Sequence, residues 1–206
     1  MNKPVVLQLN AAWQPINQKT IADAIIAMTS EGSTPPALAL DIEYERGENG
    51  EYDFNQPTYI NAVGWSDWVN LPVREYDFSV HTVNHEFRAP TVLIAPAFHK
   101  MPTLKPKLTN QSIYERDGGR CQYTGKVISK SEGNIDHYIA RSKGGKNAWE
   151  NMVWCDSKLN SKKGNRTAEE VGLKLIRQPR APEPRPVSDS FKVPRHPTWI
   201  PFIKAS

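Results

Sequence analysis

The sequence predicts an α+β chain in three parts: a small mixed α/β region over residues 1–104, a second α+β module over residues 105–177, and an extended arm over residues 178–206. Apolar residues alternate over positions 5–9, the pattern of a strand, and recur at helical spacing over 21–28. Charge changes sign along the chain. Residues 1–104 carry 6 Lys+Arg against 12 Asp+Glu, whereas residues 105–185 carry 17 against 9. Of the 17 prolines, seven fall after residue 177, where they favour an extended chain over packed helices.

Taken in order, residues 5–9 form the first expected strand. Thr20 is placed to cap a helix over 21–28, which Gly32 and the Pro35-Pro36 pair terminate. Residues 44–56, rich in Glu, Gly and Asn, form a polar hairpin or loop. Residues 59–63 and 91–95 are further strand candidates, and 102–107 form a basic connector broken by proline. Thr109 can cap a short helix through Arg116, ended by Gly118-Gly119. A turn at 121–125 precedes a strand over 134–139. Beyond the Gly144-Gly145 loop comes a helix covering Asn160 and Lys163, and Thr167 can cap a last helix through Ile176.

With 206 residues, 38% of them hydrophobic, the chain allows one domain or two small ones. A mean hydropathy of −0.59 and no apolar run of membrane length predict a protein without spanning helices. The opening residues lack the long apolar core of a secretory signal, so a cytoplasmic location is expected. Two cysteines do not make a disulfide framework. A pI near 9.0 is a modest sign of a polyanionic partner, and concentration of the excess in one half is the stronger one.

Within the basic half, Asp136 and His137 are adjacent, with Asn151 and Asn160 following. A carboxylate and an amide carbonyl are the oxygen donors that magnesium or manganese takes. An imidazole is partly neutral near pH 7 and can accept a proton from water. Together these groups can hydrolyse a phosphodiester.

The run from Ile135 to Gly145, the segment Trp149-Glu150-Asn151-Met152-Val153 and the segment Asn160-Ser161-Lys162-Lys163-Gly164 together resemble an HNH endonuclease. The likeness spans roughly residues 109–177 and is greatest to the subgroup with a zinc ribbon around the nuclease motif. A weaker likeness covers Val5-Leu7-Leu9-Asn10 and Trp13-Pro15-Ile16-Asn17, while residues 35–85 depart from it like an insertion. The resemblance implies a ββα-metal fold and a metal-dependent DNA endonuclease of phage, mobile-element or defence type. By the same resemblance His137 is the general base, Asn151 orients the loop bearing it, and Asp136 and Asn160 hold one Mg2+ or Mn2+. Arg141, Lys143, Lys146, Lys162, Lys163 and Arg166 are expected to contact the phosphates of duplex DNA.

The subgroup's two Cys-x-x-Cys pairs are largely lost here. Cys121 keeps the first position, but Thr124, Asp156 and Leu159 stand at the others, with Cys155 one place early. Leucine offers no ligand, so structural zinc is not expected and packing should replace it. His81 and His85 read as structural residues on a strand. Trp13, Trp65, Trp68, Trp149, Trp154 and Trp199 read as core or domain-contact residues. A catalytically silent nucleic-acid-binding module, an RNase and a nuclease subunit of a complex remain alternatives. The acidic first region would position substrate or a protein partner, or mediate a homodimer.

Overall fold

Thr20 begins the first helix, as its sequence context requires. The computed structural model describes residues 5–203, in which strands β1 (Val5–Leu9) and β2 (Pro15–Thr20) lead into helix α1 (Ile21–Thr29). Thr20 is extended, its hydroxyl oxygen accepts the Asp23 amide N–H at 3.1 Å, and it donates to the Asp23 carboxylate at 2.8 Å. Such a cap, with an acid in the first turn, satisfies an otherwise orphaned amide and stabilises by about 1 kcal/mol.

The described residues fall into two units, one drawn from Met1–Leu104 with Pro186–Ser206 and one from Lys105–Arg185. In the first, β1, β2, β3 (Leu38–Glu43), β4 (Tyr59–Val63) and a later strand at Val92–Ile94 form a sheet. Helix α2 (Trp65–Trp68) and the hairpin of β5 (Ser79–His81) and β6 (Glu86–Arg88) precede that later strand, β7. The sheet order is β2-β1-β7-β3-β4, with only the β1–β7 pair parallel.

Both faces of this sheet are covered, which explains the continuous apolar runs. Val6, Ala39 and Leu93 pack with Ala24 and Met28 of α1 and Trp68 of α2. Their neighbours Leu7, Leu40, Val92 and Ile94 point the other way and pack with Ile42, Tyr44 and Trp199. The departing segment 35–85 therefore supplies two strands of the sheet. It also supplies Asp41 and Asp77, which hold the buried Arg88 at 2.7 and 3.5 Å, the guanidinium stacking on Trp68. Removing one partner of such a pair costs about 3–5 kcal/mol.

The proline-rich C-terminal segment, expected to be an extended arm, carries 3-10 turns at Val187–Ser190 and Pro197–Phe202 and places Trp199 in the core of the first unit. Trp199 Nε1 donates to the Thr91 carbonyl at 2.8 Å. His81 and His85 lie exposed in the β5–β6 hairpin region, with the His81 imidazole 3.4 Å from Glu86. No helix among the described residues is long and apolar enough to cross a membrane.

In the second unit, Thr109 and Ser112 form a reciprocal capping box on α3 (Asn110–Arg116). Strands β8 (Gly133–His137) and β9 (Met152–Asp156) then pair antiparallel, and α4 (Ser157–Lys163) follows β9 directly. Buried Asp117 fastens α3 to the hairpin by accepting the Trp154 amide N–H at 2.8 Å and pairing with Arg116 at 2.9 Å. The expected last helix from Thr167 is reduced to a 3-10 turn, Glu169–Val171, because Gly172 enters the left-handed region at φ 70° and stops it.

Candidate active site

β8 carries Asp136 and His137, Asn151 directly precedes β9 and α4 carries Asn160; the pleat separates the first two of them. Asp136 pairs across with Val153 and His137 with Met152. Adjacent residues of a strand point to opposite faces, so Asp136 turns inward at 3% exposure while His137 stays partly open.

His137 Nε2 lies 2.8 Å from Asn147 Oδ1. Arg141 donates Nε–H and Nη2–H to the same oxygen at 3.2 and 2.9 Å, which fixes that atom as the amide oxygen. An oxygen can only accept, so Nε2 carries the proton and Nδ1 of a neutral ring keeps its lone pair. Asn147 had no signal in the sequence beyond being an amide in a glycine-containing loop.

The loop between β8 and β9 is held shut by Asn151, which is buried. Its Oδ1 accepts the Ile139 amide N–H at 2.8 Å, and its Nδ2 donates to the carbonyls of Ile139 and Lys146 at 3.1 and 2.9 Å. Gly145 lies so close that a Cβ there would fall 1.7 Å from the Ile139 carbonyl oxygen. Only glycine fits that approach, which accounts for the second glycine of the pair.

Asn160 faces β8 from α4. Its Nδ2 donates to Asn134 Oδ1 at 2.8 Å and to the Ile135 carbonyl at 3.1 Å. The carbonyl partner settles the amide orientation and leaves Oδ1 turned away from both. Asp136, by contrast, has both oxygens engaged. Oδ1 accepts from Lys163 Nζ at 2.8 Å and Oδ2 from the Tyr123 hydroxyl at 2.6 Å. Burial first, then this bond to a carboxylate, pushes the Tyr123 phenol far above its ordinary range.

Lys163 was expected to touch phosphate, but it is 2% exposed and donates to Asp136 and to the His137 carbonyl, each at 2.8 Å. One signal could have revealed this. Asn160 and Lys163 are three apart on one helix, so a face that turns Asn160 toward β8 turns Lys163 there too. Arg141, Lys143, Lys146, Lys162 and Arg166 are exposed, with Lys143 paired to Glu170 and Arg166 donating to the carbonyls of Lys162 and Lys163.

Asp136 and Asn160 present the right oxygen types for a hard divalent cation. The arrangement as it stands does not fit, because the Asp136 carboxylate is enclosed by two donors. Among the described residues no group of three His, Cys, Asp or Glu comes together to hold a metal ion.

The positions at which the resemblance would place zinc ligands are packed. Cys121, Ile128 and Cys155 are buried against Tyr123 and Leu159. Asp156 acts as the cap of α4, its Oδ1 accepting the amides of Lys158 and Leu159 at 2.8 and 3.0 Å. Burial raises the Cys121 thiol, but hydrogen bonds from the Thr124 side chain and the amides of Asp156, Tyr123 and Thr124 bring it below its usual value. Cys155 is raised, first by burial and then by the neighbouring Cys121.

Residues 121–169 match the HNH endonuclease family. The match covers the β8–β9 hairpin, its loop and α4, and so every motif residue described above. No curated protein matches the chain. An HNH segment is a nuclease or a nucleic-acid-binding module.

Proposed function

We propose, from the match of residues 121–169 to the HNH endonuclease family, that the second unit is a metal-dependent DNA endonuclease with His137 as its general base. One observation carries this reading: the His137–Asn147 bond leaves Nδ1 as the proton acceptor on an open ring. Nδ1 takes a proton from water as the water oxygen attacks phosphorus; the P–O3′ bond breaks, its electron pair leaves on O3′, and that oxygen takes a proton from solvent water. The imidazolium that forms is stabilised by the Asn147 oxygen, to which Nε2–H already donates. General-base catalysis of this kind contributes about 10²–10⁴-fold.

Only with Lys163 withdrawn from Asp136 would Asp136 and Asn160 hold the Mg2+ or Mn2+, which would supply positive charge for the phosphate oxygens. Asn151 ties down the loop that follows His137 and carries Arg141 and Asn147. Exposed Arg141, Lys143, Lys146, Lys162 and Arg166 position the duplex through its phosphates without reading bases. The acidic first unit serves to place substrate or a partner.

The buried Asp136–Lys163 pair favours a second reading, a binding module without turnover. A panel of labelled duplex DNA, single-stranded DNA and RNA, each with Mg2+, Mn2+ or chelator, separates the two. Metal-dependent cutting of duplex DNA is the expected outcome. Tight binding with no cleavage of any substrate under any metal would establish the silent module instead.

A further inference from the structure

We infer that Lys163 is the built-in counter-cation of Asp136, and that its ammonium and a divalent cation exclude one another at that carboxylate. The inference rests on the reading of Asp136 as a cation-holding residue and adds a condition for metal uptake. The side chains of Lys163 and Asp136 are 1% and 4% exposed, so neither charge is solvated by water. Each is the other's compensation, with the His137 carbonyl and the Tyr123 hydroxyl completing the shell.

Geometry makes the two cations alternatives. Magnesium sits roughly 2.0–2.1 Å from a ligating oxygen and keeps several waters. Lys163 Nζ already lies 2.8 Å from Oδ1, on the α4 side from which Asn160 would complete the site. A hydrated divalent cation has no room there until the ammonium leaves, and like charges at that separation repel. Withdrawing the ammonium requires the Lys163 side chain to leave its buried place in the last turn of α4. The metal-free protein therefore stores its cation as a side chain, and affinity for a divalent ion is low until Lys163 is drawn off.

Calorimetric titration of the full chain with MnCl2, without nucleic acid, tests this. The wild type should bind weakly. Lys163→Met should bind Mn2+ at least about ten-fold more tightly, and Mn2+ should raise its melting temperature more than that of the wild type. Adding Asp136→Asn to Lys163→Met should abolish the gain. Should Lys163→Met fail to fold, Lys163→Gln, which keeps a neutral donor to Oδ1, carries the same expectations. Mn2+ affinity unchanged in the neutral variants, or a gain that survives Asp136→Asn, would overturn the inference. The readout needs no cleavage, so a protein that behaves as stated but cuts nothing would count against the nuclease alone.

Discussion

The imidazole of His137 is anchored through Nε2 to Asn147 Oδ1 at 2.8 Å, and Arg141 holds that oxygen in place from the other side. The arrangement sets both the tautomer and the direction of the free nitrogen. On the proposed mechanism Asn147 is a positioning residue acting through His137. Asn147→Ala should lower kcat by roughly ten-fold, the kinetic equivalent of one ordinary hydrogen bond. DNA affinity should stay within a few-fold. Asn147→Asp retains the acceptor and should recover most of the rate. Single-turnover cleavage alongside a binding titration checks this, and an unaltered kcat in Asn147→Ala would remove the anchor from the mechanism.

Asn151 holds the same loop by three hydrogen bonds from a buried position. Asn151→Ala leaves the Ile139 amide and two carbonyls without their partner, at a cost of about 2–4 kcal/mol. Urea unfolding should show this as a lower midpoint. Gly145→Ala, which must push the Ile139 carbonyl aside, should be at least as damaging.

Stability of the first unit should depend on pH through His196. Burial lowers its pKa to about 4, while an unfolded histidine titrates near 6.5. Because the folded value is the lower one, the stabilisation is fully present above pH 6.5 and is lost as pH falls toward 4. The full shift corresponds to about 3 kcal/mol. His196→Asn keeps an acceptor for the Thr198 amide, which His196 now caps, and should flatten this window in denaturation curves taken from pH 7 to 4. An equal slope in the variant would place the titrating group elsewhere.

The packed cysteine cluster should fold without zinc. Leu159 lies against Cys121 and Cys155, and Asp156 spends its Oδ1 on the cap of α4. Elemental analysis of protein purified without chelator should find well under one zinc per chain, with a melting temperature indifferent to chelator. One equivalent of zinc, with melting that drops on its removal, would show that the thiols have rebuilt a site.

Legibility in the sequence followed the range of the interaction. Thr20, Thr109 and the apolar run at Val5–Leu9 announce their elements because caps and strands depend on neighbours a few residues away. β2 carries no such signal because its residues, Asn17 to Thr20 above all, are those of an edge strand, and β3 carries none because it follows a proline pair. The motif residues were readable as a local pattern. What the pattern could not tell was direction: strand pleating sends Asp136 inward, where Tyr123 and Lys163 arrive from thirteen and twenty-seven residues away. Lys163 read as a surface cation because a charge count carries no information about which helix face meets the sheet.

The most direct test of the account is conversion of supercoiled plasmid by purified wild-type protein and His137→Ala in the presence of Mg2+ or Mn2+. Wild type should give open-circular or linear product. His137→Ala should lose at least about 10²-fold in rate, while binding DNA within a few-fold of wild type, since affinity comes mainly from the exposed lysines and arginines. Cleavage by His137→Ala at the wild-type rate, in a preparation free of other nucleases, would contradict the central claim.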